Sequence, residues 1–381
     1  MRAVIDIESL RHTRTGLGQY VYRLIDGFGS IVKNDEILLL NNSFKKGKET
    51  KPTLPAFDNP KIGYKNLKIS KKILNPLWDS VRLPRIEHLI GDFDVYHAPT
   101  HNELPLTKRK KVLTIHDLSF MMGNWHLPEF KQYLGEYFPR AASKADLIIA
   151  DSESTRKDVI ERLRVDESRV KTVYLAASSF SRRIEDKNEI STILKKYSID
   201  RDYILYVGTI EPRKNVANII KAYDIFRSSE SDGPLLVLCG GKGWMYEEIM
   251  DTFQKSPHKN DILFTGYASN DELPFLLSGA LLFIYPSFYE GFGLPVLEAM
   301  ACGAPVITSN ISSLPEVAGD AAIQIKPDNV EEMANAIGRV AASKELRDEM
   351  TQKGFIHNSG FSWERCARET LEIYRFAGEN L

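Results

Sequence analysis

Short β-branched runs alternate with longer helical patterns along this chain, and the alternation starts twice. In the first half the runs fall at 3–7, 37–40, 95–98, 112–115, 147–150 and 170–174. In the second they fall at 203–208, 235–239, 262–264, 281–285, 305–308 and 322–325. Such strand–helix–strand units build parallel sheets, because a parallel neighbour is reached only by a crossover, usually a helix. A chain of 381 residues is too long for one ordinary domain. The pattern predicts an α/β protein of two doubly wound domains, 1–180 and 201–360, joined by a polar linker at 181–200. A closing segment, 361–381, holds an amphipathic helix over 363–377 that is expected to pack back towards the first domain. Two such domains leave a cleft facing the carboxyl ends of both sheets, where open α/β sheets bind ligands. Residues with chemistry therefore belong just after strands.

Composition excludes several classes. With 43% hydrophobic and 27% charged residues the chain has ample core material, and no apolar run reaches the roughly 18 residues of a membrane span. The first residues read directly as a strand, so no signal peptide is expected. Cys239, Cys302 and Cys366 are odd in number and far apart, which fits a reducing compartment rather than a disulfide framework. The expected location is the cytoplasm. The net charge of −1 hides an asymmetry: residues 1–180 hold 29 Lys and Arg against 22 Asp and Glu, and the rest carry the opposite excess. Such runs as Lys108-Arg109-Lys110-Lys111 are either solvated loops or a face that meets an anionic membrane surface. Aromatic–basic interleaving of the nucleic-acid kind is not seen, so no nucleic-acid partner is expected.

The densest chemical text is Tyr289-Glu290-Gly291-Phe292-Gly293-Leu294-Pro295-Val296-Leu297-Glu298, directly after the run at 281–285. Pro295 suits the first turn of a helix, where its missing N–H needs no partner. Amides of Phe292, Gly293 and Leu294 then form a helix start that attracts phosphate, with Glu290 before it and Glu298 about a turn inside. Gly208-Thr209-Ile210-Glu211-Pro212-Arg213-Lys214-Asn215 follows the first strand of the second domain. Arg213 and Lys214 at a helix start oppose its dipole, a conflict that a bound diphosphate would resolve.

Weaker signals surround these. Gly16 and Gly18 allow a ligand close to the backbone after the first strand, without the third glycine of a dinucleotide fingerprint. His116 ends the strand at 112–115 and is placed to donate to a sugar hydroxyl or phosphate; its alternative is a structural histidine. His97 and His101 are candidates for an acceptor pocket. Cys239-Gly240-Gly241-Lys242-Gly243-Trp244 is either a plain turn or a place of close nucleotide approach. Gly266-Tyr267-Ala268 offers backbone groups to a base. Asp92-Phe93-Asp94 looks like a metal-binding D-x-D but precedes its strand, at the wrong end of the sheet, and reads as a turn. No other metal-ligand spacing occurs, so Arg213, Lys214 and helix amides are expected to do the neutralising.

Taken together, these motifs make the chain resemble a retaining glycosyltransferase of family 4, with the GT-B architecture of two Rossmann-like domains. The resemblance covers nearly the whole length and is most specific in the two glutamates and the text between them. It implies that Arg213 and Lys214 bind and stabilise the leaving diphosphate, that Glu290 positions the donor sugar, and that Glu298 holds the ribose. It implies further that Phe292, Gly293 and Leu294 meet sugar and phosphate, that Gly16 and Gly18 form a phosphate loop, and that His116 faces the sugar. Thr209, Tyr267 and Ala268 complete the expected donor set. The resemblance implies retention of the anomeric configuration by attack on one face of the sugar, with no established enzyme nucleophile. For this chain no cofactor is expected, and the lack of metal-ligand spacing predicts metal independence. The forms E-P-R-K-N and G-G-K-G-W are similar to bacterial polysaccharide mannosyltransferases, which favours GDP-mannose as donor, with UDP-glucose next. The acceptor expected is a glycan or a lipid-linked acceptor, and the basic excess of residues 1–180 adds to the cytoplasmic location an alternative of peripheral contact on the inner face of the cell membrane. Competing readings are a nucleotide-sugar epimerase and a non-catalytic sugar-binding relative, which would be expected to lose the acids or the cation pair; a phosphorylase would need a much longer chain.

Overall fold

A computed structural model describes residues 1–12, 16–42, 52–56, 58–69, 71–81, 83–100, 104–228 and 232–380. The chain divides into two compact units. Unit 1 comprises 1–118, 132–175 and 362–381, and unit 2 comprises 119–131 and 176–361.

Unit 1 is built on strands β1 (Arg2–Asp6), β2 (Glu36–Asn41), β3 (Ile62–Asn66), β4 (Val95–Ala98), β5 (Lys110–Ile115), β6 (Leu147–Ala150) and β7 (Val170–Thr172). All pair in parallel, in the order β3-β2-β1-β4-β5-β6-β7. β4 and β6 are buried along their whole length, as expected of central strands covered on both faces. Its crossovers are α1 (Gly16–Ile31), α2 (Lys71–Ser80), α3 (Glu87–Ile90), α4 (Pro128–Lys144) and α5 (Glu153–Leu163). α5 starts where Ser152 accepts from the Thr155 amide, satisfying one of the donors a helix start leaves open. β3 was not expected from sequence. It is an edge strand whose residues are all at least partly exposed, so it lacks the apolar run that marks a buried strand.

Unit 2 opens with α6 (Lys187–Lys196), inside the segment expected as a linker. That expectation is corrected: α6 packs on the helix Leu273–Ser278 of the same unit, and none of its residues is fully buried, so the sequence carries no core signature there. The second sheet contains β8 (Tyr203–Val207), β9 (Leu235–Cys239), β10 (Ile262–Gly266), β11 (Leu282–Tyr285), β12 (Val306–Ser309) and β13 (Ala322–Ile325), parallel in the order β10-β9-β8-β11-β12-β13. Its other helices are α7 (Val216–Arg227), α8 (Glu247–Lys255), α9 (Leu273–Ser278), α10 (Leu294–Ala301), α11 (Leu314–Ala318), α12 (Val330–Ala342) and α13 (Lys344–Asn358).

The last helix, α14 (Trp363–Asn380), returns to unit 1 and packs along α1. Cys366, Ala367, Leu371, Tyr374 and Ala377 form its buried stripe. In each sheet the strand order reverses once, between β1 and β4 and between β8 and β11. A crevice opens at such reversals because the flanking helices leave to opposite faces.

Candidate active site

The loops after β8 and β11 emerge at the reversal in unit 2, and they carry the charges. Glu290 lies between two cations: Lys214 Nζ donates to its Oε1 at 2.6 Å, and Arg213 Nη1 stands 3.0 Å from its Oε2. The same guanidinium donates to the Tyr289 carbonyl at 2.7 Å and, through Nη2, to Glu211 Oε1 at 2.8 Å. Lys214 also donates to the Tyr285 hydroxyl. Glu211, Lys214 and Glu290 are all buried. Two cations and two carboxylates thus balance within one cluster. Glu290 and Glu211 supply the anionic partners that the sequence alone asked of a ligand.

Burial alone would push the Glu290 carboxyl up, but Arg213 and Lys214 outweigh it and hold it down at about 2. Burial and the neighbouring Arg213 pull the Lys214 ammonium below its usual range, against the attraction of Glu290. Burial and the Glu290 charge push the Tyr285 phenol up, so it stays protonated beside the lysine.

Local sequence explains how the cluster is held. Pro212 opens a short turn over Pro212–Lys214, and Asn215 closes it at φ 65°, a left-handed conformation that asparagine tolerates. The Asn215 amide does not cap α7. It donates instead to the Pro286 and Pro327 carbonyls at 3.0 and 2.6 Å, stapling the cation turn to the loop that bears Glu290. The Phe288 amide completes the join by donating to the Arg213 carbonyl at 2.9 Å. From the other side, Ser312 Oγ accepts from the Glu290 amide at 3.0 Å and donates to the Glu290 carbonyl at 2.6 Å. Ser313 Oγ donates to the carbonyls of Glu290 and Phe292. Neither serine was expected to matter; the only signal was a polar pair ahead of a short helix.

The predicted helix start is present. Gly293, at φ 110°, precedes α10, and a Cβ there would also meet Leu314 Cδ2 at 2.7 Å. Phe292 is buried and Leu294 half-buried beside it. Glu298, within α10, accepts from Ser178 Oγ at 2.6 Å, so a residue at the chain's entry into unit 2 touches the second acid.

The glycine turn after β9 packs against the cation turn. A Cβ on Gly240 would lie 1.8 Å from the Gly208 carbonyl oxygen, and the Ile210 amide donates to Gly241 at 2.9 Å. Close contact of backbone with backbone explains Gly240, whereas a Cβ on Gly241 would meet nothing within 4 Å. Thr209 is exposed at this junction, Tyr267 is 61% exposed after β10, and Ala268 is buried beside it.

Among the sequence candidates of unit 1, Gly16 starts α1 and is open around its Cα, and Gly18 is buried two residues on; Thr13, Arg14 and Thr15 lie outside the described residues. His116 pairs with Asp151 Oδ2 through Nδ1 at 2.6 Å and with the Pro99 carbonyl through Nε2 at 2.8 Å. Both partners are acceptors, so both ring nitrogens face inward and the doubly protonated form is favoured. Burial lowers its basicity, but Asp151 and the carbonyl reverse this and raise it above its ordinary value. The Tyr20 ring meets it edge-on at 4.7 Å.

His97 was expected in an acceptor pocket, and that expectation is corrected. It is fully buried, with Nδ1 2.5 Å from the Tyr374 hydroxyl of α14 and Nε2 2.8 Å from Thr114 Oγ1. Burial, with the positive His116 nearby, drives it down to about 3 and keeps it neutral. His101 lies outside the described residues. In the D-x-D, Asp92 pairs with Arg109 and Asp94 accepts from the Arg2 amide at 2.7 Å.

Two doubly wound parallel sheets, with paired cations and a glutamate where the second reverses, define a class. The chain belongs to the family 4 glycosyltransferases of GT-B architecture. The model "Glycosyltransferase Family 4" matches residues 14–177, and "Glycosyl transferases group 1" matches residues 188–356. The chain is 30% identical to O-antigen chain mannosyltransferase B of Escherichia coli over 98% of its own length and 100% of that protein's. It is also 30% identical to the serotype-specific mannosyltransferase WbdA of Escherichia coli, over 69% of this chain and 33% of that one. Among solved structures, a glycosyltransferase from Rickettsia africae superposes with a TM-score of 0.73 at 16% identity, covering 100% of this chain and 99% of that one. Anabaena HepE, in complex with UDP and glucose, gives 0.72 at 16% identity over 98% and 99% of the two chains. At that identity these structures speak to the fold. No helix among the described residues is long and apolar enough to cross a membrane.

Proposed function

We propose that this protein is a retaining, metal-independent hexosyltransferase that moves a hexose from a nucleoside-diphosphate sugar to a glycan or lipid-linked acceptor in surface polysaccharide synthesis. The observation that carries the proposal is the Arg213–Lys214–Glu290 cluster at the sheet reversal of unit 2. GDP-mannose is the favoured donor, in line with the mannosyltransferase names of the relatives; UDP-glucose is next, in line with the HepE complexes.

As the bond between the anomeric carbon and the diphosphate breaks, negative charge grows on the departing oxygen. Arg213 and Lys214 are already fixed in place, so they stabilise that charge without reorganising. The acceptor hydroxyl forms the new bond on the same face, and its proton passes to the departing phosphate. Glu290 serves electrostatically, orienting both cations and the sugar. Phe292, Gly293 and Leu294 hold sugar and phosphate at the start of α10, and Glu298 takes the ribose. Thr209, Tyr267 and Ala268 border the nucleotide, and Gly16 and Gly18 serve as a phosphate loop of unit 1; His116, with both ring nitrogens bonded inside unit 1, is left a structural part. Peripheral contact with an anionic membrane follows from the basic excess of residues 1–180.

The test is transfer from GDP-mannose and UDP-glucose to oligosaccharide acceptors, with the product's anomeric configuration read by NMR. An inverted product, or transfer that collapses in chelator and returns with Mn²⁺, would sink the retaining or metal-independent assignment respectively. Equal sedimentation with and without anionic vesicles at low salt would remove the membrane contact.

A further inference from the structure

A cavity of about 580 Å³ lies in unit 2 behind the cation turn, within the ~300–1,000 Å³ range of small-molecule sites. Its aromatic wall is Trp125 and Phe288, whose rings lie nearly parallel, 7° apart in plane and 6.1 Å between centroids. Its polar rim is Asn218 and Lys221 of α7 and Glu247 and Glu248 of α8. Trp125 belongs to the segment 119–131 of unit 2, and the Trp244 indole holds it by donating to the Trp125 carbonyl.

The lining chemistry selects a class of ligand. Two carboxylates beside one ammonium disfavour a phosphate or another anion. Flat aromatic rings suit the C–H faces of a pyranose, and amide, carboxylate and ammonium groups suit its hydroxyls. A neutral polyol with apolar faces is what this mixture fits. The cavity is also tied to the transfer site, because Pro212 and Asn215 of the cation turn line it, and Phe288 stands two residues before Glu290. A sugar bound here would lie on the outer side of the loops that hold the reacting cluster.

We propose that this cavity is an acceptor subsite that holds a neutral oligosaccharide segment of the growing glycan, away from the end being extended. The proposal rests on the glycosyltransferase function above, and the experiment separates the two. An α-mannotriose is titrated into the full-length protein by ligand-observed NMR, and GDP binding is measured on the same samples. The wild type should bind the trisaccharide. Trp125→Ala and Asn218→Ala should each weaken it about tenfold, with GDP affinity unchanged. Lys221→Met, on the solvent side of α7, guards against a simple folding defect and should weaken the trisaccharide alone. In transfer assays the same variants should raise KM for the acceptor with little change in kcat. Trisaccharide affinity that is unchanged in all three variants, or undetectable in the wild type, overturns the subsite. Failure of the wild type to bind GDP or UDP strikes instead at the donor function, whatever the trisaccharide does.

Discussion

The two units repeat one architecture but use polar groups differently where their strand order reverses. In unit 2 the reversal gathers four charged side chains, three of them buried, into a balanced cluster. In unit 1 the polar groups near the strand ends form a hydrogen-bonded chain, Tyr20–Thr114–His97–Tyr374, beside an imidazole committed to Asp151. The first arrangement is suited to meeting changing charge on a ligand. The second holds its own unit together and fixes a histidine in place. A shared scaffold thus does not imply a shared use of charge: the paired cations and carboxylates stand at the reversal of unit 2.

The sharpest way to break this contrast is to remove a charge from unit 2. Lys214→Ala or Glu290→Ala should leave a folded protein and cut transfer about 10²–10³-fold, the usual cost of losing one preorganised group. Near wild-type turnover in either variant would remove that residue from the chemistry. Next in size is Asn215→Ala, which strips the donor from two carbonyls and should cost about 1–3 kcal/mol in chemical denaturation. It should also slow transfer, since the staple joins the two charged loops; a variant with normal stability and rate would show that the loops hold without it.

A smaller effect is expected from pH. The His116 imidazolium is favoured in the folded state, so the stability it adds is fully present below its unfolded value, near 6.5, and is lost as pH rises through its raised folded value. Asp151→Asn should flatten that part of the stability–pH curve. Glu290 has the opposite sign: its depressed value means stability present above its ordinary 4.5 and lost as pH falls towards about 2. Thermal melts across both windows, for the wild type and Asp151→Asn, would tell the two apart.

Much of this was legible beforehand, because buried parallel strands leave continuous apolar runs. β4, β6, β9 and β13 have the bounds expected of them. Edge strand β3 and helix α6 were missed for one physical reason: neither contains a fully buried residue, so neither leaves an apolar period to read. At the site, Glu290, Arg213 and Lys214 stood out through their local text. Ser312, Ser313, Asp151 and Trp125 did not, because each acts on a partner at least 20 residues away in sequence. His97 was misjudged because a strand-end position does not reveal that a helix almost 280 residues later supplies its partner.

That late partner bears on how the protein is made. Chains emerge at about 5–20 residues per second, and domains fold as they appear. Most of unit 1 is synthesised before residues 176–361 of unit 2, yet it receives α14 only after them. Until then the flank of α1 around Phe28 and the hydroxyl partner of His97 are missing. The N-terminal half must therefore wait, incompletely closed, while residues 176–361 fold behind it. A premature stop just before Trp363 would deprive the first-made half of its fold rather than the last.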